Sequence, residues 1–223
     1  MATTASGRRS RGGAGGQART RLARTAVAHA ARALFLERGY AATTIEAISD
    51  LSDVPPATVY RLFSSKLGIL RALLEISVAG DDEGIPLQDQ PQVRALVADP
   101  NPRNQLSGFA GITRDIMSRT EPIYQILVSA AGADPGAAAL LAEQTRHRQL
   151  GQGGIARTLA RAGALRPKLG ERDAAAIVHA LMSPEVYRLL VSDRGWTPQR
   201  YQRWLAEILI DQLLAPPTSG AAE

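Results

Sequence analysis

Residues 40–66 read YAATTIEAISDLSDVPPATVYRLFSSK. Thr43-x-x-Glu46 has the form of a capping box, in which two side chains satisfy orphan amides at a helix start. Ile45 and Ile48 give the helix behind it one apolar face, ending near Leu51-Ser52-Asp53. Proline suits a first helical turn, where its missing N–H has no partner to lose. Pro55-Pro56 therefore predicts a second short helix, from Pro56 to Phe63. Val59 and Phe63, four apart, turn inward, while Ala57, Tyr60 and Arg61 turn outward. Ser64-Ser65 breaks the chain again, and another helix starts near Lys66. Two short helices joined by a tight turn have the shape of a helix-turn-helix, whose second helix enters the major groove of DNA. A plain helical hairpin inside a bundle has the same spacing, and spacing alone leaves both open.

Upstream, Val27, Ala30, Ala31, Leu34 and Phe35 share one helical face, and Gly39 is a natural stop. Residues 1–20 are dominated by Gly, Ser, Ala and Arg, and residues 1–21 are expected to form a flexible basic arm. Downstream, Ile69, Leu70, Leu73, Leu74 and Ser77 line a fourth helix, before the acidic break at Gly80–Gly84. Further helical pieces follow over 93–97, 102–118 and 121–131. Asp134-Pro135 opens a long helix towards Gly163. Gly151, Gly153 and Gly154 inside it mark a break or a close approach of another helix. Glu171 to Arg194 reads as one helix kinked at Ser183-Pro184. Thr197-Pro198 caps the last helix, and residues 216–223 form a tail expected to be disordered. No segment alternates like a strand. The expectation is an all-α protein of about nine helices: an N-terminal unit over 22–75 and a helical C-terminal unit over 76–215.

Composition narrows the class. The chain has 223 residues, 45% of them apolar and only 4% aromatic, so aliphatic side chains must build the core. It has no cysteine, which excludes disulfides, cysteine-ligated metals and a thiol nucleophile. No apolar run approaches the ~20 residues of a membrane span, and no signal-type h-region follows the basic start. A cytoplasmic protein is expected. Net charge is +5, but residues 1–75 carry 11 Lys/Arg against 5 Asp/Glu, and residues 1–24 hold six arginines and no acid. That asymmetry suits a polyanion partner. A solvated tail remains the alternative.

Tyr40-Ala-Ala-Thr-Thr-Ile-x-x-Ile48, Thr58-Val-Tyr-x-x-Phe63 and Ser65-Lys66 closely resemble the TetR/AcrR family of one-component regulators, over residues 25–75. The resemblance implies a homodimer that binds a palindromic operator in double-stranded DNA, as a repressor released by a small molecule. It implies phosphate contacts from Thr44, Tyr60 and Lys66. Pro55, Pro56, Ala57 and Arg61 would lie nearest the bases, with Arg61 able to reach guanine bidentately or to hold a phosphate. The arm residues Arg8, Arg9, Arg11, Arg19, Arg21 and Arg24 would reach an adjacent minor groove. Three positions depart from the family pattern. Asp53 replaces the usual turn glycine, Pro55 the usual serine cap, and Leu62 a common histidine. Base readout is left poorer in polar groups, which suits thymine-methyl contacts or shape readout.

Residues 80–215 offer no nucleophile–base pair, no metal-ligand spacing and no phosphate loop, so no catalytic residue, metal or cofactor is expected. By the same resemblance, Phe109, Ile112, Met117, Tyr124, Leu127, His179 and Tyr187 would line a ligand cavity. Leu189, Leu190, Tyr201, Trp204, Leu205 and Ile208 would form the dimer interface. Core packing is the competing role for each ligand residue, and packing within the monomer competes for the tryptophans. The rival function is a weakly specific, arm-driven DNA-binding protein without ligand switching.

Overall fold

The computed structural model describes residues 12–80 and 85–216. Among these the chain is all-helical, with ten α-helices and two short helical turns. It divides into two compact units between Leu73 and Leu74.

The first unit holds α1 (Gly12–Ala42), α2 (Ile45–Ser52), α3 (Pro56–Phe63) and the start of α4 (Lys66–Ala79). Helix α1 begins well before Leu22, so residues 12–21 of the expected arm are helical; Arg8, Arg9 and Arg11 lie outside the described residues. At Gly39 the backbone leaves helical geometry at φ 79°, a region open to glycine at no steric cost. The core is the set the apolar period picks out: Val27, Ala31, Leu34, Phe35, Ile48, Val59, Ile69 and Leu70 are buried. Each large aliphatic or aromatic side chain so buried contributes roughly 1.5–3 kcal/mol.

The second unit holds the last turn of α4, then α5 (Pro91–Ala98), α6 (Pro102–Ala131), α7 (Pro135–Arg161), α8 (Glu171–Leu181), α9 (Pro184–Tyr187) and α10 (Pro198–Leu213). Helix α6 packs against α10 and α7, and α7 against α8. Two expected pieces, 102–118 and 121–131, are the one helix α6, which runs on through Pro122. The long segment expected from Glu171 instead stops at Leu181. The Ser183 hydroxyl accepts from the Val186 amide and Pro184 opens α9, so a new helix starts where a kink was expected. A π-helical turn over Arg188–Ser192 follows. Helix α7 passes unbroken through Gly151, Gly153 and Gly154. A Cβ on any of the three would meet no atom within 4 Å, so no neighbouring helix demands these glycines.

Candidate nucleic-acid interface and ligand cavity

The turn between α2 and α3 is built without glycine. Asp53 takes the left-handed conformation, at φ 53° and ψ 34°, which Asp tolerates better than most residues. Ser49 staples the turn from inside. Its hydroxyl donates to the Val54 carbonyl at 2.7 Å, while its carbonyl accepts from the Asp53 and Val54 amides. At the start of α2 the cap is Thr44 rather than Thr43: the Thr44 oxygen accepts from the Ala47 amide at 3.1 Å. Thr43 is buried and donates back to the Gly39 carbonyl. Thr44 stays exposed, with its own hydroxyl proton available to an acceptor.

Helix α3 buries Val59 and Phe63 and exposes Pro56, Ala57, Tyr60 and Arg61. Those four positions follow i, i+1, i+4, i+5 spacing and share one face. Pro55 gives α3 no side-chain cap, and its carbonyl accepts from the Thr58 and Val59 amides. Five of the residues assigned to DNA therefore lie together on one exposed surface of α3 and its cap. Arg24 and Lys66 are engaged within the unit. Arg24 donates to the Leu62 carbonyl at 3.0 Å and lies 4.7 Å from the centre of the Phe63 ring.

Lys66 is engaged more extensively. Its ammonium donates to the carbonyls of Tyr40 and Thr43, both at 2.7 Å, with a longer contact to Ala41. It also sits 4.3 Å from the centre of the Tyr40 ring. Lys66 clamps the α1–α2 connector through these carbonyls.

The second unit contains a cavity of about 1040 Å³, lined from the end of α4, from α5, α6 and α7, and from Met182 and Pro184. Phe109, Ile112, Met117 and Tyr124 line it as expected. Leu127, His179 and Tyr187 do not. Leu127 is fully buried in the core. Tyr187 shares a hydrogen bond with Ser118 at 2.9 Å and meets Tyr201 edge-on. His179 Nδ1 pairs with Gln152 Oε1 at 2.7 Å, and burial lowers its pKa, helped by the nearby Arg148 charge. Sequence reasoning missed the α4 and α5 walls (Leu74, Val78, Val93) and the polar strip of α7. The glycines of α7 were the available signal.

The expected dimer residues split. Tyr201 and Leu205 are wholly buried inside their own chain, because α10 turns positions 201, 205, 209 and 213 onto the core. These two are withdrawn from any interface. Leu190, Trp204 and Ile208 are half-buried along the flank, and Leu189 is 50% exposed. Among the described residues no His/Cys/Asp/Glu group is arranged to hold a metal, and no single helix is long and apolar enough to cross a membrane.

Comparison with known proteins fits this layout. Residues 27–73 match the family described as bacterial regulatory proteins, tetR family. A curated relative, the HTH-type transcriptional regulator TcmR of Streptomyces glaucescens, is 29% identical over 153 residues, covering 65% of this chain and 62% of the relative. The matched stretch thus spans less than two thirds of that relative. NalD of Pseudomonas aeruginosa superposes with a TM-score of 0.69 at 20% identity, covering 88% of this chain and 98% of NalD. SmeT in complex with triclosan gives 0.68 at 17% identity, over 87% and 93% of the two chains. At these identities the two structures establish the fold.

Proposed function

We propose, from the match of residues 27–73 to the tetR family of bacterial regulatory proteins and the likeness to TcmR, that this chain is a ligand-responsive repressor acting as a homodimer on a palindromic operator. The observation that carries the reading is the exposed face of α3. Ala57 and Arg61 stand on it, small or forked enough for base edges, with Val59 and Phe63 locking the helix from behind. Thr44, exposed at the start of α2, and Tyr60 hold phosphates in this account. Arg19, Arg21 and Arg24 are exposed on α1 and add sequence-independent charge.

The partner protomer packs on the flank formed by Leu189, Leu190, Trp204 and Ile208, the apolar positions the core leaves uncovered. Two-fold pairing sets the two recognition helices about one DNA turn (~34 Å) apart. The cavity receives a small molecule. Its wall includes Leu74, Glu75, Val78 and Ala79, the end of the α4 helix whose first residue is the Lys66 clamp. A ligand that binds one setting of α4 better than the other shifts the equilibrium between DNA-competent and released states. NalD, described as the secondary repressor of a multidrug efflux pump, and SmeT, solved with triclosan, support such a role by analogy of fold. The reading is of a cytoplasmic regulator without catalysis.

Selection from a random duplex library, at near-physiological salt with competitor DNA, tests it. An enriched inverted repeat is expected. Salt-sensitive binding without enrichment would replace this reading with weakly specific, arm-driven binding.

A further inference from the structure

Helix α7 presents Glu143, Gln144, His147, Arg148 and Gln152 to the cavity, a polar strip opposite the apolar side chains of α5 and α6. Gly151 and Gly154 lie in the same wall. Glycine weakens a helix interior, and nothing stands where their side chains would be. Their absence leaves room for an occupant against bare backbone.

Beside them stands Arg148. Its Nε and Nη1 are shut off from solvent and have no hydrogen-bond partner among the described residues. Its Nη2 makes one long contact, 3.4 Å to the Tyr124 hydroxyl, which is itself 3.1 Å from Glu185 Oε1. A guanidinium carries five N–H donors, and leaving them buried and unpaired is costly. The other arginine of the wall, Arg94, is held by Asp89 at 2.9 Å. Of the two lining carboxylates, Glu143 is already engaged within the chain and Glu75 is exposed. The unmet demand of this wall is for an acceptor at Arg148.

We propose that the cavity takes a large, mostly apolar molecule bearing one anionic oxygen group, a carboxylate or an ionised phenol, and that Arg148 turns its fork onto that group. The proposal rests on the cavity being the effector site. Guanidinium and carboxylate meet through two parallel hydrogen bonds, a geometry lysine does not offer. A cavity of about 1040 Å³ lies at the upper end of small-molecule sites, so the apolar body is bulky. It lies along α7 where Gly151 and Gly154 clear the wall.

Fluorescence titration of the full chain tests this with three probes sharing one apolar body: pyrenebutyrate, its methyl ester, and the matching pyrenebutyl trimethylammonium. The wild-type chain is expected to bind the carboxylate about tenfold or more tighter than either of the others. Arg148→Gln is expected to erase that preference and keep ester binding, which also shows that the variant folds. Gly154→Leu, filling the wall, is expected to weaken all three. A wild-type chain that binds the ester or the ammonium as tightly as the carboxylate overturns the proposal, as does Arg148→Gln that keeps the preference. If no probe binds the wild-type chain, or Gly154→Leu changes none of the three, the effector-site reading falls and the proposal with it.

Discussion

Lys66 and Tyr40 are joined twice. The ammonium donates to the Tyr40 carbonyl at 2.7 Å and rests 4.3 Å from the centre of the same residue's ring. With the Thr43 carbonyl also on this ammonium, one cation fixes the connector that carries the exposed Thr44 cap. Lys66→Ala leaves part-buried carbonyls unmet and is expected to destabilise the first unit by about 1–3 kcal/mol. Thermal melting of the full chain checks it. A pure phosphate contact would leave the melt unchanged and lower the salt dependence of DNA binding by about one charge.

Asp53 holds a left-handed conformation at φ 53°. Glycine relieves the steric cost there, so Asp53→Gly is expected to raise the stability of the first unit by up to about 1 kcal/mol. Denaturant unfolding reads the change directly, and a loss of stability would show that the Asp side chain contributes more than its backbone strain costs.

Gly68, in the first turn of α4, answers a different constraint. A Cβ there would lie 1.9 Å from the Phe63 carbonyl oxygen, a backbone atom. Gly68→Ala must push α3 and α4 apart and is expected to destabilise by roughly 1–3 kcal/mol or more. A wild-type melting temperature in this variant would contradict the close approach.

Glu121 is buried on α6, and desolvation raises its pKa against the lowering effects of Ser192 and Arg188. The folded state therefore holds the proton more tightly than the unfolded chain. Stability from this group is complete below the ordinary value of 4.5 and is lost as pH rises through the folded pKa. Glu121→Gln should raise the melting temperature at neutral pH, and the gain should shrink as pH falls towards 4.5. Melts across that pH range decide the matter, since a constant gain would exclude titration as the cause.

The first unit was largely legible because its signals are local. Pro55-Pro56 at a helix start, Val59 and Phe63 four apart, and Gly39 as a stop each act within a few residues. The clamp role of Lys66 was not legible, because the carbonyls it meets lie 23 to 26 residues away. The second unit was harder to read. Its apolar periods name a buried face without saying what that face meets, so Tyr201 and Leu205 read as interface and prove to be core. Gly151 and Gly154 were conspicuous in the sequence. Their cause was invisible there, because it is empty space and not a contact.

The central claim is that the exposed face of α3 reads sequence. Fluorescence anisotropy of the full chain on the enriched inverted repeat and on a scrambled duplex, for the wild type and Arg61→Ala, tests it most directly. The account predicts tight binding of the repeat by two protomers. It predicts that Arg61→Ala loses about 1–3 kcal/mol of that preference, with little change on the scrambled duplex. Equal affinity of the wild-type chain for both duplexes would contradict it.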